Sequence, residues 1–284
     1  MRDNFAVFIL THGRAKRLST LNVLRRGNYS GKWYLIVDDE DSDLPLYREK
    51  YGEEKVVVYS KQNIYDYTDT MDNFNILLSD VYARNVVWMI AKQMALKYFL
   101  MLDDDYSDIN FKCEDGKFLR SKKIRDLDSL FEAMMKFLDT TKADAVSFAQ
   151  GGDLLGGANG HTFKKRILRK SMNSYFCRTD CPIKFKGTMN ADVNTYTLLS
   201  SQGHLFFTYT KISIDQRPTQ SVKGGTTAIY KEYGTYVKSF YSVMAMPSAV
   251  KVAKLTTAAS SRIHHRVQWD NCAPKIISEK WKKK

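Results

Sequence analysis

Tyr98-Phe99-Leu100-Met101-Leu102-Asp103-Asp104-Asp105-Tyr106 is an apolar run that ends in three consecutive carboxylates. A run of this kind reads as a strand buried on both faces. Three acids cannot remain inside a core without a counter-charge, because each loses its hydration there. The strand must therefore emerge at its carboxyl end, and something positive should meet it. Two readings stand at this point: a divalent cation chelating a nucleotide diphosphate, or a solvated acidic turn after a core strand.

Upstream, Ala83 to Lys97 is rich in strong helix formers and leads into that strand. Phe5 to Thr11, Trp33 to Val37 and Val56 to Tyr59 read as three further buried strands. Arg14 to Arg26 has helically spaced leucines at 18, 21 and 24. Short βαβ connections of this kind predict a mostly parallel sheet. In such sheets ligands bind beyond the carboxyl ends of the strands. Three features converge there: the turn Thr11-His12-Gly13-Arg14, the acids Asp38 and Asp39, and Asp103 to Asp105. Gly13 permits close backbone approach, and Arg14 can pair with a phosphate. Arg84, at the start of the helix, can reach a diphosphate from the side.

Downstream, Ile124 to Lys142 reads as an amphipathic helix and Ala145 to Ala149 as a strand. Gln150 to Gly160 holds five glycines in eleven residues, which suits a mobile loop or a close approach to a ligand. It has no Walker lysine, so a P-loop is excluded. A compact basic segment follows, with Lys164, Lys165, Arg166, Arg169 and Lys170. Asn190 to Asn194 precedes a helical stretch to Ser201, and Leu205 to Tyr209 reads as a strand. Gln216 to Phe240 interleaves tyrosines with lysines, among them Lys223, a pattern suited either to stacking on bases beside phosphate contacts or to packing on the domain. With no repeat and no low-complexity linker, residues 1–284 are expected to form one architecture. Residues to about 110 and those from about 111 on would form its two halves.

The 284 residues carry 44 Lys plus Arg against 31 Asp plus Glu, a net charge of +13. Such a chain suits a polyanionic partner. At 44% hydrophobic content disorder is excluded. Cys113, Cys177, Cys181 and Cys272 are too scattered for a disulfide framework, and the C-x3-C pair has no second pair to complete a zinc site. Free thiols are expected. No signal-peptide core and no apolar run near the ~18 residues of a membrane span is present. The expectation is a soluble, cytoplasmic protein with no membrane partner (host-cell cytoplasm if the source is viral).

The order of parts resembles a glycosyltransferase of the GT-A fold. The Ala83-Arg84-Asn85 helix followed by Asp103-x-Asp105 is similar to the nucleotide-sugar half of the family 2 inverting enzymes. The second half resembles the bacteriophage TET/JBP-associated glycosyltransferases. It does so through Gln150-Gly151-Gly152-Asp153, Gly156-Gly157, Met172-Asn173, Asn190 to Tyr196, Gln216 to Gln220, Gly224-Gly225, Gly234 to Phe240, Pro247-Ser248 and His264-His265. The fold implied is a mostly parallel Rossmann-like α/β sheet flanked by helices, with an acceptor-binding C-terminal half.

The resemblance also implies roles. Asp105 binds Mn²⁺ or Mg²⁺, Asp103 contacts ribose or metal, and His264 or His265 completes the metal shell. Thr11, His12, Gly13, Arg14, Asp38, Asp39, Arg84, Asn85 and Asp104 belong to the donor side. Asp192 is the candidate base, although Ala191 stands where the family pattern has an acidic neighbour, and Asp153 is the second candidate. Lys164, Lys165, Arg166, Arg169 and Lys223 would contact DNA. The implied reaction is inverting transfer from a UDP-sugar to a hydroxymethyl group, on 5-hydroxymethylcytosine or 5-hydroxymethyluracil in DNA. The alternatives are a polysaccharide or protein acceptor, or an inactive nucleic-acid-binding module on the same scaffold.

Overall fold

The computed structural model describes residues 1–74, 77, 79–216, 234, 236–256 and 261–274. In order the elements are β1 (Phe5–Leu10), α1 (Ser19–Arg26), β2 (Lys32–Asp38), α2 (Leu44–Tyr51), β3 (Val56–Tyr59), α3 (Lys61–Tyr65), α4 (Val81–Gln93) and β4 (Tyr98–Asp103). They continue as β5 (Tyr106–Asp115), β6 (Phe118–Lys123), α5 (Leu127–Thr141), β7 (Ala145–Ala149), α6 (His161–Lys164), β8 (Ile167–Leu168), β9 (Ser174–Arg178) and α7 (Ala191–Ser201). The last described are β10 (Phe206–Gln216), α8 (Val237–Ala245), β11 (Val250–Thr256) and β12 (Ser261–Val267).

The main sheet runs β3-β2-β1-β4-β9-β7-β10-β5-β6, with β8 on β10. Strands β3, β2, β1 and β4 are mutually parallel, and β10 is parallel to β7. Strand β9 is antiparallel to both β4 and β7, so those two groups point the same way. The carboxyl ends of β1, β2, β4, β7 and β10 thus share one edge, which fixes where a ligand can bind. A separate antiparallel pair, β11-β12, stands beside it.

Strand β1 is buried at all its positions because helices cover both sheet faces. Its residues alternate between two cores, as the strand period of two requires. Phe5, Val7 and Ile9 join Leu21 and Leu24 of α1 and Phe131 and Leu138 of α5. Ala6, Phe8 and Leu10 join Val87 and Trp88 of α4 and Val193 and Tyr196 of α7.

The helix expected from Arg14 begins only at Ser19. Its would-be first turn is drawn elsewhere. The backbone N–H groups of Gly13, Arg14 and Ala15 donate to Asp41 Oδ2 (2.8 Å), the Tyr47 hydroxyl (2.9 Å) and Asp43 Oδ2 (3.1 Å). The sequence reading missed β9 inside the sheet, the hairpins β5-β6 and β11-β12, and the shorter α2, α3, α6, β8 and α8. The four cysteines are free thiols. Among the described residues no helix is long and apolar enough to cross a membrane.

Candidate active site

Two cavities meet at the carboxyl edge. The smaller, about 170 Å³, is lined by Thr11, His12, Arg14, Asp38, Lys61, Asp80, Asp103, Asp104, Asp105 and Gln216, among others. At its far end His12 Nδ1 lies 2.6 Å from Asp38 Oδ2, and Lys61 Nζ lies 2.9 Å from Asp38 Oδ1. Burial works against the Asp38 charge, but hydrogen bonds from His12 and Lys61 overcome it and hold its pKa down to about 2. The hydrogen bond to Asp38, against burial, raises the pKa of His12. Asp39 turns away from this cavity and accepts the Lys61 backbone N–H at 3.0 Å. Gly13 is left-handed (φ 64°) with open space where a Cβ would be, but its N–H is held by Asp41. What Gly13 supplies is therefore the turn.

The three acids after β4 have separate surroundings. Asp104 is 3% exposed and accepts from Thr11 Oγ1 and Arg14, both at 2.6 Å. That pairing fixes the β1 turn against the β4 end. Thr20, at the start of α1, ties the same turn down: its hydroxyl donates to the Asp103 carbonyl (2.6 Å) and accepts the Tyr106 N–H (3.0 Å). Asp105 remains partly exposed, with Gln216 Nε2 donating to it at 3.2 Å. Burial drives the Asp103 pKa up to about 8, and the Arg84 guanidinium only partly offsets that. Asp103 also lines the second cavity, so it sits at the seam.

Arg84 is 2% exposed, and its role differs from the one expected. It donates to Asp80 Oδ2 (2.9 Å) and Asp103 Oδ1 (3.3 Å), and its third nitrogen lies 3.5 Å from Asp192 Oδ1. The plane packs over Tyr175 and Phe185. Arg84 is thus a buried counter-ion joining three carboxylates, not an arm reaching a diphosphate. Asn85, unlike Arg84, lines neither cavity. It exchanges hydrogen bonds with the Phe185 backbone and donates to Thr68, fastening the segment that leads to α7.

The second cavity, about 870 Å³, opens on the other side of Asp103. Asp192, in the first turn of α7, is 8% exposed. One oxygen accepts the Asn173 N–H at 3.2 Å, the other lies 3.5 Å from Arg84, and the Tyr175 hydroxyl is a further neighbour of the carboxyl. Burial raises its pKa despite Arg84. Asp153 also lines the cavity, but it is ion-paired with Lys170 and accepts the Gln150 N–H. It is thereby committed to shaping the glycine-rich turn, unlike Asp192.

His264 and His265 form part of the opposite wall, on β12. Their rings are 4.2 Å apart, and His265 Nδ1 lies 3.2 Å from Asn190 Nδ2. Burial, reinforced by nearby cations, pushes the His265 pKa down to about 3. Neither histidine gathers with Asp103 and Asp105 into one ligand set. Among the described residues the single cluster of metal-capable side chains is His12, Asp38 and Asp41. Lys61 already neutralises Asp38, and Asp41 holds backbone N–H groups, so that cluster builds the turn. Lys164, Lys165, Arg166 and Arg169 line neither cavity, and Arg166 pairs with Glu114. Lys223 and Gly224-Gly225 lie outside the described residues.

Sequence reasoning missed Lys61, Asp80, Lys170 and Thr20. Only Asp80 carried a signal, as an acid just before a helix that holds an arginine four residues on.

Solved structures with a similar backbone include glucosyl-3-phosphoglycerate synthase from Mycobacterium tuberculosis in complex with Mg²⁺ and uridine diphosphate. It is 9% identical, with TM-score 0.45, covering 93% of this chain and 87% of that one. The same enzyme with Mn²⁺, uridine diphosphate and phosphoglyceric acid gives 9% identity and TM-score 0.43, covering 93% and 86%. Comparison with curated proteins found no match. The family model described as TET-associated glycosyltransferase matches residues 5–225, most of the chain. The chain therefore belongs to the TET-associated glycosyltransferase family.

Proposed function

We propose that this glycosyltransferase moves a sugar from a UDP-sugar to the hydroxymethyl group of a modified pyrimidine in DNA, with inversion at the sugar carbon. The observation that carries the reading is the position of Asp103 between two cavities, one bounded by Asp38 and Arg14 and the other by Asp192. A donor filling the first would present its sugar at the seam. A cavity of about 870 Å³ is within the range that takes a whole small ligand, here a nucleotide turned out of its stack.

Asp103 and Asp105 suit a divalent cation. Asp103 is a buried carboxylate whose counter-charge is incomplete, and Asp105 is partly exposed and lines the first cavity. Hard cations take such oxygen ligands together with diphosphate oxygens. When bound, Mn²⁺ or Mg²⁺ would neutralise the charge gathering on the departing nucleoside diphosphate. Inversion needs a base on the acceptor hydroxyl. Asp192 fills that role: it is buried, its carboxyl pKa is raised, and among the described residues one oxygen makes no hydrogen bond. Arg84 keeps that carboxylate aligned. An inactive binding module would have no use for a base kept buried this way. His264 and His265 belong to the acceptor wall.

The test is direct. Incubate the protein with Mn²⁺, UDP-sugars and DNA containing 5-hydroxymethylcytosine or 5-hydroxymethyluracil, then weigh the nucleosides by mass spectrometry. A sugar adduct on the modified base is expected. Release of UDP with a polysaccharide or protein acceptor, and none with DNA, would sink the DNA acceptor.

A further inference from the structure

Residues 233–269 contain no Asp or Glu and five Lys or Arg. This segment includes the β11-β12 ribbon, which forms a wall of the acceptor cavity through Leu255, Arg262, His264 and His265. On β12, Arg262, His264 and Arg266 occupy alternate positions and so share one face. In the register Lys251 stands opposite Arg266, and Leu255 opposite Arg262, on that same face. Lys251, Arg262 and Arg266 are exposed. The result is a cationic stripe roughly 14 Å long from Arg262 to Arg266. It starts at the cavity wall with Arg262 and runs along the two-stranded ribbon toward its anchored end at Val250 and Val267.

We infer that the β11-β12 ribbon is the duplex-docking surface, holding the phosphate backbone next to the nucleotide whose base enters the cavity. This rests on the DNA reading above and makes it more specific. A base delivered to a pocket keeps its own phosphates within a few ångströms of the pocket rim. Cations meant to hold those phosphates must therefore lie on that rim. The ribbon meets this condition. The segment from Lys164 to Arg169 does not, because none of its side chains lines the cavity, whereas the ribbon stripe begins at the lining residue Arg262, and Arg166 is already neutralised by Glu114. Phosphate contacts of this type fix register without reading sequence.

The experiment compares K251Q/R266Q with K164Q/K165Q and wild type, all as full chains. Both pairs lie outside the two cavities, and circular dichroism checks that each variant is folded. Duplex affinity is measured between 50 and 200 mM salt. Each lost phosphate contact lowers the slope of log affinity against log salt by about 0.9. With two contacts gone, the ribbon variant should lose about 12-fold less affinity over that range than wild type. It should still bind UDP-sugar normally, and the K164Q/K165Q slope should match wild type. An unchanged ribbon slope, or a drop confined to K164Q/K165Q, overturns the inference while leaving the DNA acceptor standing. If wild type neither binds duplex nor glycosylates modified DNA, the acceptor reading and this inference fail together.

Discussion

Replacing Arg84 by methionine removes the one cation shared by Asp80, Asp103 and Asp192, while the thioether fills much of the stem volume. The distances to be lost are 2.9, 3.3 and 3.5 Å. Breaking a buried pair by deleting one partner costs about 3–5 kcal/mol, because an uncompensated charge stays behind. Arg84 serves two carboxylates that are themselves largely buried, so the upper part of that range applies. At about 4 kcal/mol the ratio of folded to unfolded chain falls by roughly 10³.

The sign of the pH dependence follows from Asp103 and Asp192. Their folded pKa values already lie above the ordinary carboxylate value because burial outweighs Arg84. Without Arg84 they rise further. A raised carboxyl binds more protons folded than unfolded, so stability falls as pH climbs through that window. The R84M penalty should thus be largest near pH 8 and shrink toward pH 5. Urea unfolding at both pH values measures it. Arg84→Lys keeps a charge but not a planar fork, and should fall between. The double variant R84M/D192N should recover about 1–3 kcal/mol relative to additivity. A penalty below about 1 kcal/mol at pH 8, or one that grows as pH falls, would refute the counter-ion role.

Three further outcomes are expected. Asp105→Asn should cut transfer on the order of 10²-fold or more and weaken Mn²⁺ affinity, leaving duplex binding near wild type by fluorescence anisotropy. Asp192→Asn should lose about 10²–10⁴ in kcat with UDP-sugar affinity unchanged by calorimetry, and normal turnover would move the base elsewhere. His12→Gln should release Asp38. The lowered Asp38 pKa of about 2 gives stability that is full above the ordinary carboxylate value and lost as pH falls toward 2. The variant's acid unfolding should therefore begin at higher pH, and NMR titration of the Asp38 carboxyl should read an increase.

The strands that carry long apolar runs were legible because burial on both faces leaves that mark: β1 and β4 are read directly off Phe5–Leu10 and Tyr98–Leu102. Strand β9 leaves none, since Ser174-Tyr-Phe-Cys-Arg178 is short and its partners lie far away in sequence. Strand β6 is almost wholly exposed at the sheet edge and reads as a polar loop. The site shows the same division. That Asp38, Asp103 and Asp192 lie near one edge followed from the carboxyl-end rule and the family likeness. What each side chain does depended on contacts about a hundred residues away. Asn85 bonding Phe185 and Arg14 bonding Asp104 are such contacts, and no local pattern encodes them.

Strand β9 has one more consequence. Because it runs against β7, the chain leaves β7 after Ala149 and comes back beside it at Ser174 on the same edge. Everything between, from the glycine-rich turn to Asn173, is an excursion held at two neighbouring points and pinned between them by β8 on β10. The glycine-rich turn ahead of β8 can change without shifting the register of β4, β9 or β7. The excursion carries Gln150, Asp153, Lys170 and Asn173, all of which line the larger cavity. The fold thus has an exchangeable cassette on the acceptor side, hinged to a fixed donor frame. Acceptor choice can be altered through residues 150–166, ahead of β8, while the Asp103 seam, which Asn173 helps to hold through Tyr106, keeps its geometry.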